Sequence, residues 1–259
     1  MMGGKLIDLK EFEREIFVYL PESYNKSVIQ NRNYPVVYVH DGDTFRKLLF
    51  GIMEEIEKEE EKDKDKDKIQ NLYKEHIIVG ISSKDRLSEY TPWQAPALVE
   101  KFAPFGGKGE DYLDFIVDEL KPFIDSNFNT SMEVEDTSMI GYSLGGLISL
   151  FSIYKYSCFG KIVSICGSQW FKGWIDFIEA NKIPNENVEI FIIAGLKEGN
   201  KKYTAQKDII KCVEKSYKIF SSQIGTSNVT LEWDNYGHNE YVTNRYKQAL
   251  LHLGKREVL

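Results

Sequence analysis

Excess positive charge, long apolar runs and cysteine are what this chain has little of. Its 33 Lys and Arg face 40 Asp and Glu, a formal net charge of −7. A molecule of that sign does not attract nucleic acid or an anionic membrane as a whole, which leaves room only for a local basic pocket. No stretch is long and apolar enough to span a bilayer. The start, Met1-Met2-Gly3-Gly4-Lys5-Leu6-Ile7-Asp8, has no apolar run of signal-peptide type. Cys158, Cys166 and Cys212 are isolated, odd in number and without a C-x-x-C. They exclude a disulfide framework, and the first two read as reduced core residues. The expected location is therefore cytoplasmic. No His, Cys or carboxylate cluster has metal-ligand spacing, so no metal or cofactor is expected. No repeat or linker marks a second domain. The 259 residues, 42% hydrophobic, suffice for one α/β domain spanning 1–259.

What is present is an alternation. Glu15-Ile16-Phe17-Val18-Tyr19-Leu20-Pro21 reads as an opening strand, stopped by the proline. Tyr34-Pro35-Val36-Val37-Tyr38-Val39-His40 is a near-continuous apolar run, as expected of a strand covered on both faces. A turn, Asp41-Gly42-Asp43, leads to a helix over 44–60. The charged run over 57–68 reads as a solvated helix end and surface insertion. Further strands are expected at 76–81, 137–140, 161–166, 188–194 and 229–233. Amphipathic helices are expected over 110–128, with Pro122 kinking or restarting the last turns, and after the last two strands. The long loop over 82–109 contains Gly106-Gly107-Lys108-Gly109, which lacks P-loop spacing and reads as a flexible lead-in to a helix. Strands alternating with helices argue for a mostly parallel central sheet with helices on both faces.

The chain is organised around Ile140-Gly141-Tyr142-Ser143-Leu144-Gly145-Gly146. G-x-S-x-G between a strand and a helix fits a nucleophile elbow, in which a strained turn lifts a serine hydroxyl above the sheet. An ordinary Gly-rich turn is the alternative. A serine hydroxyl needs a base, and the base an orienting carboxylate. On such a sheet the order is Ser, acid, His. Of four histidines, His40 and His76 precede Ser143, and His252 lies on the closing helix. His238 alone sits in a loop directly after a strand. Glu198 and Asp234 both satisfy the order for the acid. Glu198 is preferred because it follows the strand before the penultimate crossover helix. Two backbone N–H groups for an oxyanion are expected at Leu144 and Asp43.

Several motifs together resemble the family of α/β-hydrolases called Putative esterase. They are Ile16-Phe17-Val18-Tyr19-Leu20-Pro21-Glu22-Ser23-Tyr24, Tyr34-Pro35-Val36-Val37-Tyr38-Val39-His40-Asp41-Gly42, Gly80-Ile81-Ser82-Ser83-Lys84-Asp85-Arg86 with Tyr90-Thr91-Pro92, Gly141-Tyr142-Ser143-Leu144-Gly145-Gly146, and Gly237-His238. That family includes esterase D-like enzymes, trilactone siderophore esterases, feruloyl and acetyl-xylan esterases, and mycolyltransferases. The resemblance covers nearly the whole chain. It implies an α/β-hydrolase fold, Ser143 as nucleophile, His238 as base, an acid at Glu198, and oxyanion amides at Asp43 and Leu144. The charged insertion at 57–68 falls outside the usual pattern.

The expected activity is hydrolysis of a carboxylic ester through an acyl-enzyme, on a small-molecule substrate such as a siderophore trilactone or another small acyl or aryl ester. Acyl transfer from the same serine and a non-catalytic, hydrolase-shaped binding protein are the alternatives. Arg86 could pair with a substrate anion or form a structural salt bridge. Tyr90, Trp93 and Trp170 are candidates for an aromatic substrate wall, or else for core.

Overall fold

A computed structural model describes residues 4–24, 32–63 and 74–255. In chain order its elements are β1 (Lys5–Leu9), β2 (Ile16–Leu20), β3 (Val36–His40), α1 (Gly42–Asp63), β4 (Ile77–Ile81), α2 (Arg86–Glu89), β5 (Gln94–Ala95), β6 (Phe105–Gly106) and α3 (Gly109–Asp114). A π-helical stretch, Phe115–Leu120, joins α3 to α4 (Lys121–Asn127). Then follow β7 (Thr137–Tyr142), α5 (Leu144–Ser152), β8 (Lys161–Ile165), α6 (Trp174–Ala180), β9 (Glu189–Gly195), α7 (Ile209–Ile224), β10 (Val229–Asp234) and α8 (Val242–Gly254).

Eight strands form one sheet in the order β1-β2-β4-β3-β7-β8-β9-β10. The β1–β2 and β2–β4 pairs are antiparallel, and every other pair is parallel. Alternation along each strand divides the core in two. Val36 and Tyr38 of β3 pack with α3, α4, α5, α6 and α7 on one face. Val37 and Val39 pack with α1 and α8 on the other. This is the α/β-hydrolase arrangement, and no described helix is long and apolar enough to cross a membrane.

The topology places the site. From β3 the chain turns to β4 on one side of the sheet and later returns to β7 on the other. The carboxyl ends of β3 and β7 therefore flank a switch point, where open α/β sheets form their ligand crevices.

Three segments differ from the sequence reading. β1 is an added edge strand, paired in register Leu6↔Tyr19 with β2. Its Lys-Leu-Ile-Asp-Leu run is too mixed to stand out without that partner. The loop over 82–109 carries α2 and a two-residue ladder, β5–β6. The helix expected over 110–128 runs as α, π and α pieces. Pro122 has no N–H for the carbonyl four residues back, and α4 restarts around it as expected, so the π-helical stretch is the difference. The charged run is helical through Asp63, and its remainder lies outside the described residues.

Candidate active site

Ser143 is held in a conformation that side chains avoid, φ 60° and ψ −117°, as the residue before α5. Its N–H donates to Ile165 O at 2.9 Å, and its carbonyl accepts from Ser168 N–H at 2.9 Å and Leu147 N–H at 3.1 Å. The turn fits only because of glycine. A Cβ on Gly141 would lie 2.0 Å from Gly145 O, and one on Gly146 would lie 2.8 Å from Ser164 Oγ. The strand and helix can thus approach closely, and the serine hydroxyl stands clear of the sheet.

His238 leaves the loop after β10, and its Nε2 lies 3.0 Å from Ser143 Oγ. Its Nδ1 lies 2.5 Å from Glu198 Oε2. Glu198 leaves the loop after β9 and is buried. Its other carboxylate oxygen accepts the Gly195 N–H at 2.9 Å. Burial raises the Glu198 pKa, but the hydrogen bond and charge of His238 and the Gly195 N–H outweigh it and hold the carboxyl below its ordinary value. An ionised Glu198 can only accept, so the proton sits on Nδ1 and the Nε2 lone pair faces the serine.

Asp234, the other acid that the order allowed, is engaged elsewhere. Its two oxygens accept from Arg245 Nε at 2.6 Å and Nη2 at 2.7 Å. Arg245 also donates from Nη1 to the carbonyls of Gly237 and His238, both at 3.2 Å. The Tyr142 hydroxyl donates to the His238 carbonyl as well.

The two expected oxyanion donors lie at helix starts, where amides lack intrahelical acceptors. Leu144 opens α5 and Asp43 is the second residue of α1. The turn before α1 is fixed by Asp41 at φ 55°. Its N–H donates to the Tyr90 hydroxyl at 2.9 Å. Its carboxylate accepts from Arg86 Nε at 2.8 Å and Nη2 at 2.9 Å. Arg86 Nη2 also reaches Tyr142 O at 3.1 Å, tying this turn to the elbow.

Arg86 therefore makes the structural salt bridge of the two readings, through Nε and Nη2, while it also lines the cleft beside the elbow. Tyr90 does not form a substrate wall, because it is fully buried against His40 and Tyr112. Trp93 donates its indole N–H to Lys172 O and packs on Phe151, Phe171 and Phe177. Trp170 stays partly exposed beside Phe105. A 720 Å³ cleft lies beside the elbow, lined by Asp41, Asp43, Arg86, Tyr142, Asn239 and Val242 among others.

Three residues at the site escaped the sequence reading, Ser168, Tyr142 and Arg245, and a fourth, Cys166, enters that reading only as a reduced core residue. Ser168 Oγ lies 3.3 Å from Ser143 Oγ, longer than an ordinary hydroxyl bond. Buried Cys166, at φ 48°, has its sulfur within 4.8 Å of Glu198 and His238 liganding atoms. Burial and then the Glu198 charge push its thiol pKa up, and the atoms of Glu198 and His238 that could bind a cation are already hydrogen-bonded. Arg245 stands one turn before Ala249, on the apolar face of the closing helix, a signal that spacing could have supplied.

Residues 10–246 match the family model described as Putative esterase. The chain belongs to this family. It is 32% identical over 253 residues to the uncharacterized protein YbbA of Bacillus subtilis (strain 168), covering 96% of each chain. Among solved structures it resembles an IroE-like serine hydrolase from Shewanella oneidensis, with TM-score 0.72 and 20% identity, covering 96% of this esterase-family chain and 78% of that one. It also resembles the siderophore hydrolase EstA from Aspergillus nidulans, with TM-score 0.72 and 15% identity, covering 97% and 94%. At these identities the two structures speak for the shared fold.

Proposed function

We propose that this family member is a carboxylic ester hydrolase that works through an acyl-enzyme on Ser143. The observation that carries the reading is the imidazole of His238, 3.0 Å from Ser143 Oγ and 2.5 Å from buried Glu198. In the first half-reaction Ser143 Oγ attacks the ester carbonyl carbon while His238 Nε2 takes the hydroxyl proton. The carbonyl oxygen becomes an oxyanion, which the N–H groups of Leu144 and Asp43 stabilise. Collapse breaks the bond to the leaving alcohol, and His238 returns the proton to that oxygen. Water then repeats the sequence on the acyl-serine, with His238 as base, and releases a carboxylic acid and free Ser143. Glu198 holds the imidazole in the working tautomer and offsets the positive charge it gains.

The substrate we propose is a small acyl or aryl ester, with a siderophore trilactone as the first to test. The resemblance in fold to a siderophore hydrolase and an IroE-like serine hydrolase supports that choice. Wild type and Ser143→Ala are compared on p-nitrophenyl acetate and on a trilactone. Hydrolysis by the wild type and a fall on the order of 10⁶-fold in kcat for the variant are expected. Equal rates would remove the reading. Adding an acceptor alcohol and analysing products separates hydrolysis from acyl transfer.

A further inference from the structure

The His238 side chain is aligned by Glu198, but its backbone is held by a different set of groups. Within the loop from Asp234 to Tyr241, Tyr236 N–H donates to Asp234, Gly237 N–H to Glu240, and Glu240 N–H to Gly237 O, while the N–H groups of Leu196 and Lys197 after β9 donate to the carbonyls of Asp234 and Tyr236. None of these bonds is made to His238. The His238 carbonyl itself is held by two groups from outside the loop. Arg245, fully buried in α8, spends its guanidinium on both oxygens of Asp234 and on the carbonyls of Gly237 and His238. Tyr142, the residue before the nucleophile, donates its hydroxyl to the same His238 carbonyl. A Cβ on Gly195, at the end of β9, would meet both Tyr236 O at 2.2 Å and Arg245 Nη2 at 2.6 Å, so three strand ends close around this cation. Burying a charged pair is costly, and apolar side chains of similar size would fill the same space at little or no loss of stability.

We propose that Arg245, with Asp234, is a positioning residue: it clamps the main chain of His238 and, together with the Tyr142 hydroxyl, sets the imidazole at attack distance from Ser143. This rests on the hydrolase reading of Ser143 and His238. Lysine cannot replace the clamp fully, because an ammonium is a point donor and cannot span Asp234 and two carbonyls in one plane.

The test uses the full chain in three variants. Asp234→Leu/Arg245→Met replaces the pair by apolar side chains. Arg245→Lys keeps the charge without the fork. Tyr142→Phe removes the second donor. Each is measured for melting temperature, for kcat and KM on p-nitrophenyl acetate per fluorophosphonate-titrated site, and by crystal structure. The double variant is expected to melt within a few degrees of wild type. Its kcat should fall about 10²-fold, the typical result of misplacing a reacting group by about 1 Å. KM should change less than about threefold. Its crystal structure should show His238 withdrawn from Ser143 Oγ. Arg245→Lys should recover part of the loss, and its effect should not add to that of Tyr142→Phe, since both act on one carbonyl. A double variant with kcat within twofold of wild type and an unmoved imidazole would make Arg245 a stabilising residue only. Should the double variant not fold, Arg245→Lys is judged by the same two criteria. If Ser143→Ala hydrolyses as fast as wild type, the hydrolase reading fails, and the crystal structures still decide what Arg245 does to His238.

Discussion

Glu198 and Asp234 are two carboxylates at the ends of adjacent strands, and their partners give them different work. Glu198 faces an imidazole and a main-chain N–H, and Asp234 faces a guanidinium. Glu198→Gln presents an amide where an acceptor is needed and favours the wrong tautomer. Its kcat should fall about 10⁴-fold, with the fold intact. Asp234→Asn leaves the His238–Glu198 bond in place but loosens Arg245. Its kcat should fall far less, and its melting temperature should drop more than that of Glu198→Gln, because a buried cation loses its counter-charge. Steady-state kinetics and thermal melts on the two variants check this, and the reverse ranking would exchange their proposed roles. The sequence brought Ser143, Glu198 and His238 forward because chain order and strand-end position are one-dimensional properties. It left Glu198 and Asp234 unresolved because the deciding partner, Arg245, is eleven residues beyond Asp234 on a helix. Tyr90 stayed open between pocket wall and core for a similar reason. Only packing against His40 and Tyr112 shows that its ring is turned inward.

The elbow is the element where local and global preferences conflict. Most strands and helices follow their apolar periodicity, and for this reason the sheet was legible from the alternation alone. β1 and the β5–β6 ladder were not legible, because short strands gain their identity from neighbours rather than from pattern. At the elbow the opposite holds: the motif is plain, and its backbone is strained. Ser143 at φ 60° costs about 1–3 kcal/mol relative to a relaxed conformation. Glycine tolerates that region, so Ser143→Gly should be more stable than Ser143→Ala, which keeps the strain and also lacks the hydroxyl. The expected gap in melting temperature is about 2–10 °C for a chain of this size. Both variants should be inactive, so the gap reads backbone strain and not chemistry. Equal melting temperatures would mean that α5 and β8 absorb the strain elsewhere.

At the scale of the whole molecule, the fold buries two histidines at opposite ends of the sheet, His40 closing β3 and His76 just before β4. Desolvation, followed by the charges of Arg86 and Arg14, lowers the His40 pKa to about 3. Desolvation, followed by the charge of Lys74, lowers that of His76 to about 3. Unfolding releases both toward the ordinary value of about 6.5. Between those two values the unfolded chain binds protons that the folded chain excludes. Stability is therefore complete above about pH 6.5 and is lost as pH falls through the window, by about 1.4 kcal/mol per pH unit for each buried ring. Glu198, whose folded pKa is depressed, acts lower down, because its contribution is present above the unfolded carboxyl value of about 4.3 and is lost below it. The interval from pH 6.5 to 5 thus reports mainly on histidine. His252 on α8 titrates in the same window, because desolvation, followed by the charge of Lys255, lowers its pKa to about 4. His40→Phe keeps an aromatic ring between Tyr90 and Tyr112 and removes one of the three titrating groups. Urea unfolding at pH 6.5, 6, 5.5 and 5 should show the variant losing stability with roughly two-thirds of the wild-type slope. Parallel slopes would show that His40 is protonated in the folded protein, hydrogen-bonded to Tyr112 as a cation and not held neutral by its burial.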